Sequence, residues 1–146
     1  MSSVSIYLNF TRNTEEAFNY YKEVFGGEFE GHVARMGDVP AMEGQPPIAE
    51  EDKNLVMHAC LPILNNFKLM GTDAPESMGF TLNKGNSVHI NLLIDTRAES
   101  DELFAKLSEG GVIGMPLQDM FWGDYFGSVT DKFGVQWMMN CSEKAS

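Results

Sequence analysis

Basic side chains are scarce in this sequence. Ten Lys and Arg stand against 21 Asp and Glu, a formal charge of −11 at pH 7. A field of that sign repels phosphate backbones and anionic lipid, so nucleic acid and membrane surfaces are poor candidate partners. Cysteine is scarcer still: Cys60 and Cys141 are the only two, without Cys-x-x-Cys spacing. The opening Met1-Ser2-Ser3-Val4-Ser5 has neither the basic region nor the apolar run of a secretory leader. A reducing, cytoplasmic setting is therefore expected. No run approaches the roughly 20 apolar residues needed to cross a bilayer. Gly-x-Gly is missing altogether, and with it the glycine-rich turn that approaches a nucleotide cofactor.

What remains is an ordinary globular composition, 43% apolar and 21% charged. A length of 146 residues suits one hydrophobic core better than two, so a single domain over 1–146 is expected. Ten Phe, four Tyr, two Trp and ten Met must pack in that core or along a pocket.

The pattern then repeats. Val4 to Phe10 alternates apolar and polar residues, the period of a half-buried strand. Asn13 and Glu16 form a loose capping box before a helix whose apolar stripe is Ala17, Phe18, Tyr21, Val24 and Phe25. Gly26-Gly27 stops it. Val88, Ile90, Leu92 and Ile94 mark a second such strand, Thr96 and Glu99 a second box, and Leu103, Phe104 and Leu107 a second stripe ending at Gly110-Gly111. Val4 to Val88 and Gly26 to Gly110 are both steps of 84 residues. Strands are expected next at Glu28–Met36, Leu55–Ile63 and Phe67–Thr72, and in the second half at Val112–Pro116, Tyr125–Thr130 and Val135–Asn140. The final hairpins match at a step of 68, pairing Phe67 with Val135 and Met70 with Met138. Each half thus reads βαβββ, an internal duplication with modules near 1–80 and 81–146. Pro40, Gly44, Pro46, Pro47 and Glu50-Glu51-Asp52 describe a mobile acidic loop over 37–53, and Gly79 to Asn86 reads as a linker.

Several segments carry a family likeness: Tyr7-Leu8-Asn9-Phe10, Glu16-Ala17-Phe18-Asn19-Tyr20-Tyr21, Val24-Phe25-Gly26-Gly27, Met57-His58-Ala59, Leu69-Met70-Gly71-Thr72-Asp73, Phe121-Trp122-Gly123 and Thr130-Asp131-Lys132-Phe133-Gly134-Val135-Gln136-Trp137-Met138. The last is the most specific. Together they resemble the vicinal oxygen chelate superfamily of glyoxalases, bleomycin-resistance proteins and dioxygenases, and within it the PhnB-like branch. The resemblance implies an α+β fold in which two βαβββ modules form a curved, funnel-shaped mixed sheet, usually in a homodimer. In catalytic relatives it also implies a divalent metal acting as a Lewis acid.

Carried onto this chain, the metal positions of the resemblance fall on Ser5, Met70, His89 and Met138. Only His89 suits zinc, iron or manganese, because hydroxyls are weak ligands and thioethers prefer soft ions. No metal and no cofactor are therefore expected. A shifted site built from His58 and His89 with Asp73 or Asp124 is the alternative, with His32 as a further imidazole on the outer hairpin. Cys60 lies two residues from His58, on one strand face, a weak nucleophile–base pairing against the commoner buried thiol.

Alternation sends Ser5, Tyr7 and Asn9 to one face, His89, Asn91 and Leu93 to its counterpart, and Gln136, Met138 and Asn140 beside them. The expected ligand-binding set is Ser5, Tyr7, Asn9, His58, Met70, His89, Asn91, Trp122, Gln136 and Met138. Such a lining suits a small molecule held by apolar walls and a few orienting groups. The leading expectation is metal-free small-molecule binding. A lyase, isomerase or dioxygenase-like enzyme, with a shifted metal or with His89 as candidate catalytic base, is the first alternative. A dimeric interaction scaffold is the second.

Overall fold

The computed structural model describes residues 1–40, 43–44 and 46–146. Two compact units emerge, Met1–Asn83 and Lys84–Ser146. The first contains β1 (Ile6–Phe10), α1 (Thr14–Phe25), β2 (Ala34–Arg35), β3 (Val56–Ile63) and β4 (Phe67–Asp73), with sheet order β1-β4-β3-β2. The second contains β5 (Ile90–Ile94), α2 (Arg97–Ser108), β6 (Val112–Asp119), β7 (Tyr125–Thr130) and β8 (Gln136–Cys141), in the equivalent order β5-β8-β7-β6. Each unit is a four-stranded mixed sheet with one helix, the α+β arrangement anticipated from the repeat. Among the described residues no helix is long and apolar enough to cross a membrane.

The duplication survives at the level of register. In each unit the first and last strands run parallel, with Tyr7 opposite Met70 and Asn91 opposite Met138. Those partners differ by 84 (91 − 7) and 68 (138 − 70), the two steps legible in the sequence.

Each helix buries its apolar stripe on its own sheet. Ala17, Phe18, Tyr21 and Val24 are buried under α1, and Leu103, Phe104 and Leu107 under α2. In both units a helix phenylalanine presses on a strand glycine. A Cβ at Gly71 would lie 2.6 Å from the Phe18 ring, and one at Gly127 3.0 Å from that of Phe104. Any larger residue would force helix and sheet apart.

The helix starts differ. Thr96 caps α2 as expected, its side chain accepting from the Glu99 amide at 3.1 Å. Asn13 makes no side-chain cap on α1. There Asp73, from the end of β4, takes the Thr14 amide at 3.1 Å and the Thr14 hydroxyl at 2.8 Å. A buried carboxylate displaces the local box because it satisfies two donors at once. Thr96→Ala is expected to cost about 1 kcal/mol and Asn13→Ala under about 0.5 kcal/mol, measured by urea unfolding.

Other expectations need correction. The strand foreseen over Glu28–Met36 shrinks to Ala34–Arg35, with a register shift between them, and Gly31 at φ 69° interrupts what precedes. β1 and β5 begin at Ile6 and Ile90, so Ser5 and His89 lie just outside their strands. β6 runs on to Asp119 and absorbs Pro116, which an outer strand of a sheet tolerates. The described ends of the 37–53 loop are tied down instead of free: the Met36 amide donates to Leu55 and the Gly37 amide to Lys53, at 2.8 and 2.9 Å. Ala41, Met42 and Gln45, in the middle of that loop, lie outside the described residues. Gly79 to Asn86 contains no helix or strand, and the boundary between units falls within it.

Candidate functional site

With a helix on one face of each sheet, strand alternation turns the remaining side chains to the other face. In the first unit that face carries Tyr7 and Asn9 of β1, Met70 of β4, and His58 and Cys60 of β3. Tyr7 Oη lies 3.0 Å from His58 Nδ1, and the two rings sit 5.7 Å apart, tilted by 37°. Burial raises the Tyr7 pKa above its ordinary value, so the phenol keeps its proton. The imidazole tautomer sets which of the two donates in this bond, and Nε2 is the ring nitrogen that it leaves uncommitted. The Ser5 hydroxyl donates to the Met70 sulfur at 3.7 Å. Asn9 is exposed along the same strand.

Cys60 does not pair with His58. Its thiol donates to Glu30 Oε2 at 3.3 Å, while Lys68 donates to Glu30 Oε1 at 2.8 Å. Burial first, then the Glu30 carboxylate, push the thiol pKa up to about 11. A nucleophilic cysteine needs the opposite shift, so this thiol serves packing. Glu30 itself is held below its ordinary pKa, chiefly by Lys68. No local pattern announces this cluster, because Glu30 lies in the part of the expected Glu28–Met36 strand that does not form.

In the second unit Ile90, Leu92 and Ile94 are buried, while Asn91 and Leu93 are exposed. Asn91 stands opposite Met138 and Leu93 opposite Asn140. The Gln136 amide donates to the Val88 carbonyl at 2.7 Å, and Asn140 to Asp124 at 3.1 Å, so each has one hydrogen bond already committed. Trp122 packs edge-on against Phe121 and Phe126, with centroids 5.0 and 6.1 Å away, and is half exposed. Phe126, not anticipated from the sequence, belongs to this group because β7 brings it opposite Asn140. His89 is exposed ahead of β5.

The donor chemistry argues against the metal that the fold implies. Ser5 and Met70 fall in the first unit, His89 and Met138 in the second, and only one of the four is a good ligand for a hard or borderline divalent ion. Ser5 and Met70 satisfy each other. Of the two carboxylates foreseen for a shifted site, Asp124 accepts from Asn140, and Asp73 is buried and structural: Oδ1 holds Thr14, and Oδ2 accepts from the Val56 amide at 2.8 Å. His32 lies outside any helix or strand. Among the described residues no three His, Cys, Asp or Glu side chains converge in a way that would hold an ion. The residues do not fit the group.

The last family segment, Asp131 to Trp137, proves to be a structural device. Asp131 Oδ1 accepts from the Phe133 and Val135 amides at 2.8 and 3.1 Å, and Oδ2 from the Trp137 indole at 2.8 Å. Gly134, at φ 86°, supplies the left-handed turn.

Comparison with known proteins agrees with this architecture. The family model described as Glyoxalase/Bleomycin resistance protein/Dioxygenase superfamily matches residues 5–139. Protein YjdN of Escherichia coli is 31% identical, with 94% of this chain and 93% of that protein covered. Among solved structures, protein PA1353 from Pseudomonas aeruginosa is 38% identical at a TM-score of 0.78, covering 95% of this chain and 98% of that one. A PhnB protein from Bacillus cereus is 28% identical at a TM-score of 0.71, covering 96% and 99%. Since the family match runs through both units, over residues 5–139 of 146, the chain belongs to the glyoxalase/bleomycin resistance protein/dioxygenase superfamily, with PhnB-like neighbours.

Proposed function

We propose that this protein binds a small organic molecule on the helix-free faces of its sheets, without a metal, as a homodimer in a reducing compartment. The Tyr7–His58 pair carries the reading. An exposed phenol, 47% accessible, is already oriented by an imidazole whose second nitrogen is available. Asn9 and Met70 flank the pair in the first unit. Ser5 borders Met70, and Asn91, Gln136, Met138 and Trp122 offer amides, a thioether and an indole in the second. Polarisable walls with few fixed polar groups suit a ligand recognised by shape and one or two hydrogen bonds. His89 is kept as a lining residue, since a general base needs an orienting partner.

A thermal-shift screen of small molecules tests the reading, because a ligand of the native state raises the melting temperature. For a compound so found, Tyr7→Phe is expected to weaken binding about fivefold, the worth of one hydrogen bond of about 1 kcal/mol. Unchanged affinity in both Tyr7→Phe and His58→Ala would remove the pair from the site. Stoichiometric zinc, nickel, manganese or iron in the purified protein would overturn the metal-free part.

A further inference from the structure

We infer that the first unit holds a separate pocket for an uncharged aromatic molecule, at the neck of the 37–53 segment. A cavity of about 330 Å³ opens there, walled by Met36, Met57 and Met78 and by Pro40, Pro46 and Pro47. It shares no residue with the strand-face set that contains Tyr7, His58 and Met70.

The pocket is built. On one side the backbone bonds from Met36 to Leu55 and from Gly37 to Lys53 close the neck, so tightly that a Cβ on Gly37 would lie 2.9 Å from that of Lys53. On the other, Arg12 forks to Asp52 and Glu76, each at 2.8 Å, and reaches Ser77 at 3.2 Å. The Ser77 hydroxyl donates to Asp52 at 2.5 Å. Asp52 precedes the lining residue Lys53, and Ser77 precedes Met78, so this network fixes two walls relative to each other. Asp52 is only 2% exposed, which makes its pairing with Arg12 a structural commitment.

The walls define the occupant. Thioethers and proline rings offer no hydrogen-bond donors but favour flat, polarisable partners, sulfur–aromatic contact above all. Lys53 is the one charged side chain in the lining among the described residues, and Glu50 neutralises it at 2.8 Å. The net charge of −11 further disfavours an anion. The volume lies near the lower end for small-molecule pockets, enough for a fused bicyclic ring.

The test uses the full chain with ¹³C-labelled methionine methyl groups, titrated with 2-naphthol, which is neutral at pH 7, and in parallel with 2-naphthoate. The signals of Met36, Met57 and Met78 are expected to move together along one binding curve, while those of Met70 and Met138 stay put. Naphthoate is expected to bind at least tenfold more weakly. Ile48→Asp, which adds a carboxylate to the wall, and Met78→Trp, which fills the space, are each expected to weaken naphthol at least tenfold. Arg12→Met is expected to weaken it several-fold by releasing the walls. Unmoved Met70 and Met138 signals in the free variants report that the fold is intact. Shifts confined to Met70 and Met138 would overturn this pocket while supporting the strand-face reading. No shift, shifts spread over all ten methionines, or naphthoate binding as tightly as naphthol would overturn it as well.

Discussion

Asp131→Ala is expected to remove about 4 kcal/mol of stability, a large share of the 5–15 kcal/mol typical of a domain. The side chain is 3% exposed and takes three donors: two backbone amides of the turn between β7 and β8, and the indole of Trp137. Trp137 is itself 1% exposed, in the core beneath α2. Alanine would leave the Phe133 amide and the Trp137 indole buried beside a void and the Val135 amide half-buried, and a buried donor without a partner costs about 1–3 kcal/mol. Asp131→Asn keeps the shape but turns one amide N–H₂ toward other donors, so about half that loss is expected. Urea unfolding, with the m-value checked for a change in two-state behaviour, measures both. A loss below about 1 kcal/mol for the alanine variant would mean that the turn holds without its carboxylate.

Asp73→Ala is expected to cost about 3 kcal/mol, with its damage concentrated in the first unit. Asp73 joins the end of β4 to the first turn of α1 through Thr14 and to the start of β3 through Val56. Removing it strands a helix-start amide that Asn13 does not cap. Hydrogen exchange should therefore quicken first at the amides of Thr14 and Val56, while the amides of α2 stay protected. In the second unit the position 68 residues onward (73 + 68 = 141) is Cys141, fully buried, and Thr96 supplies the cap locally. The same fold thus anchors its two helices by different chemistry. A uniform loss of protection across both units would contradict this division.

The contrast shows where sequence reasoning reaches and where it stops. The capping box at Thr96 was legible because every partner lies within four residues. The cap of α1 was not, because Asp73 is 59 residues from Thr14. The strand foreseen over Glu28–Met36 failed for a related reason: its pairing with β3 is settled by what that strand offers, and beyond a single bond from the Glu30 amide to the Cys60 carbonyl only Ala34 and Arg35 keep a ladder there. Tyr7 and His58, each singled out by strand position, are 51 residues apart, and nothing local announces their contact. The spacing of two supports only a weak Cys60–His58 pairing against the commoner buried thiol, and Cys60 is indeed buried, with its thiol turned to Glu30.

By itself the sequence determined the duplication: two steps of constant length, strand periodicity, paired glycine stops and an acidic, cysteine-poor composition. These are local or periodic properties, written in neighbouring residues, and the register of β1 on β4 and of β5 on β8 follows them residue for residue. Tertiary structure alone decided which polar groups meet. A buried carboxylate goes wherever the most unpaired donors lie, and a loop's walls close wherever an arginine fork finds its acids. Those choices depend on distances across the fold, which no spacing along the chain encodes.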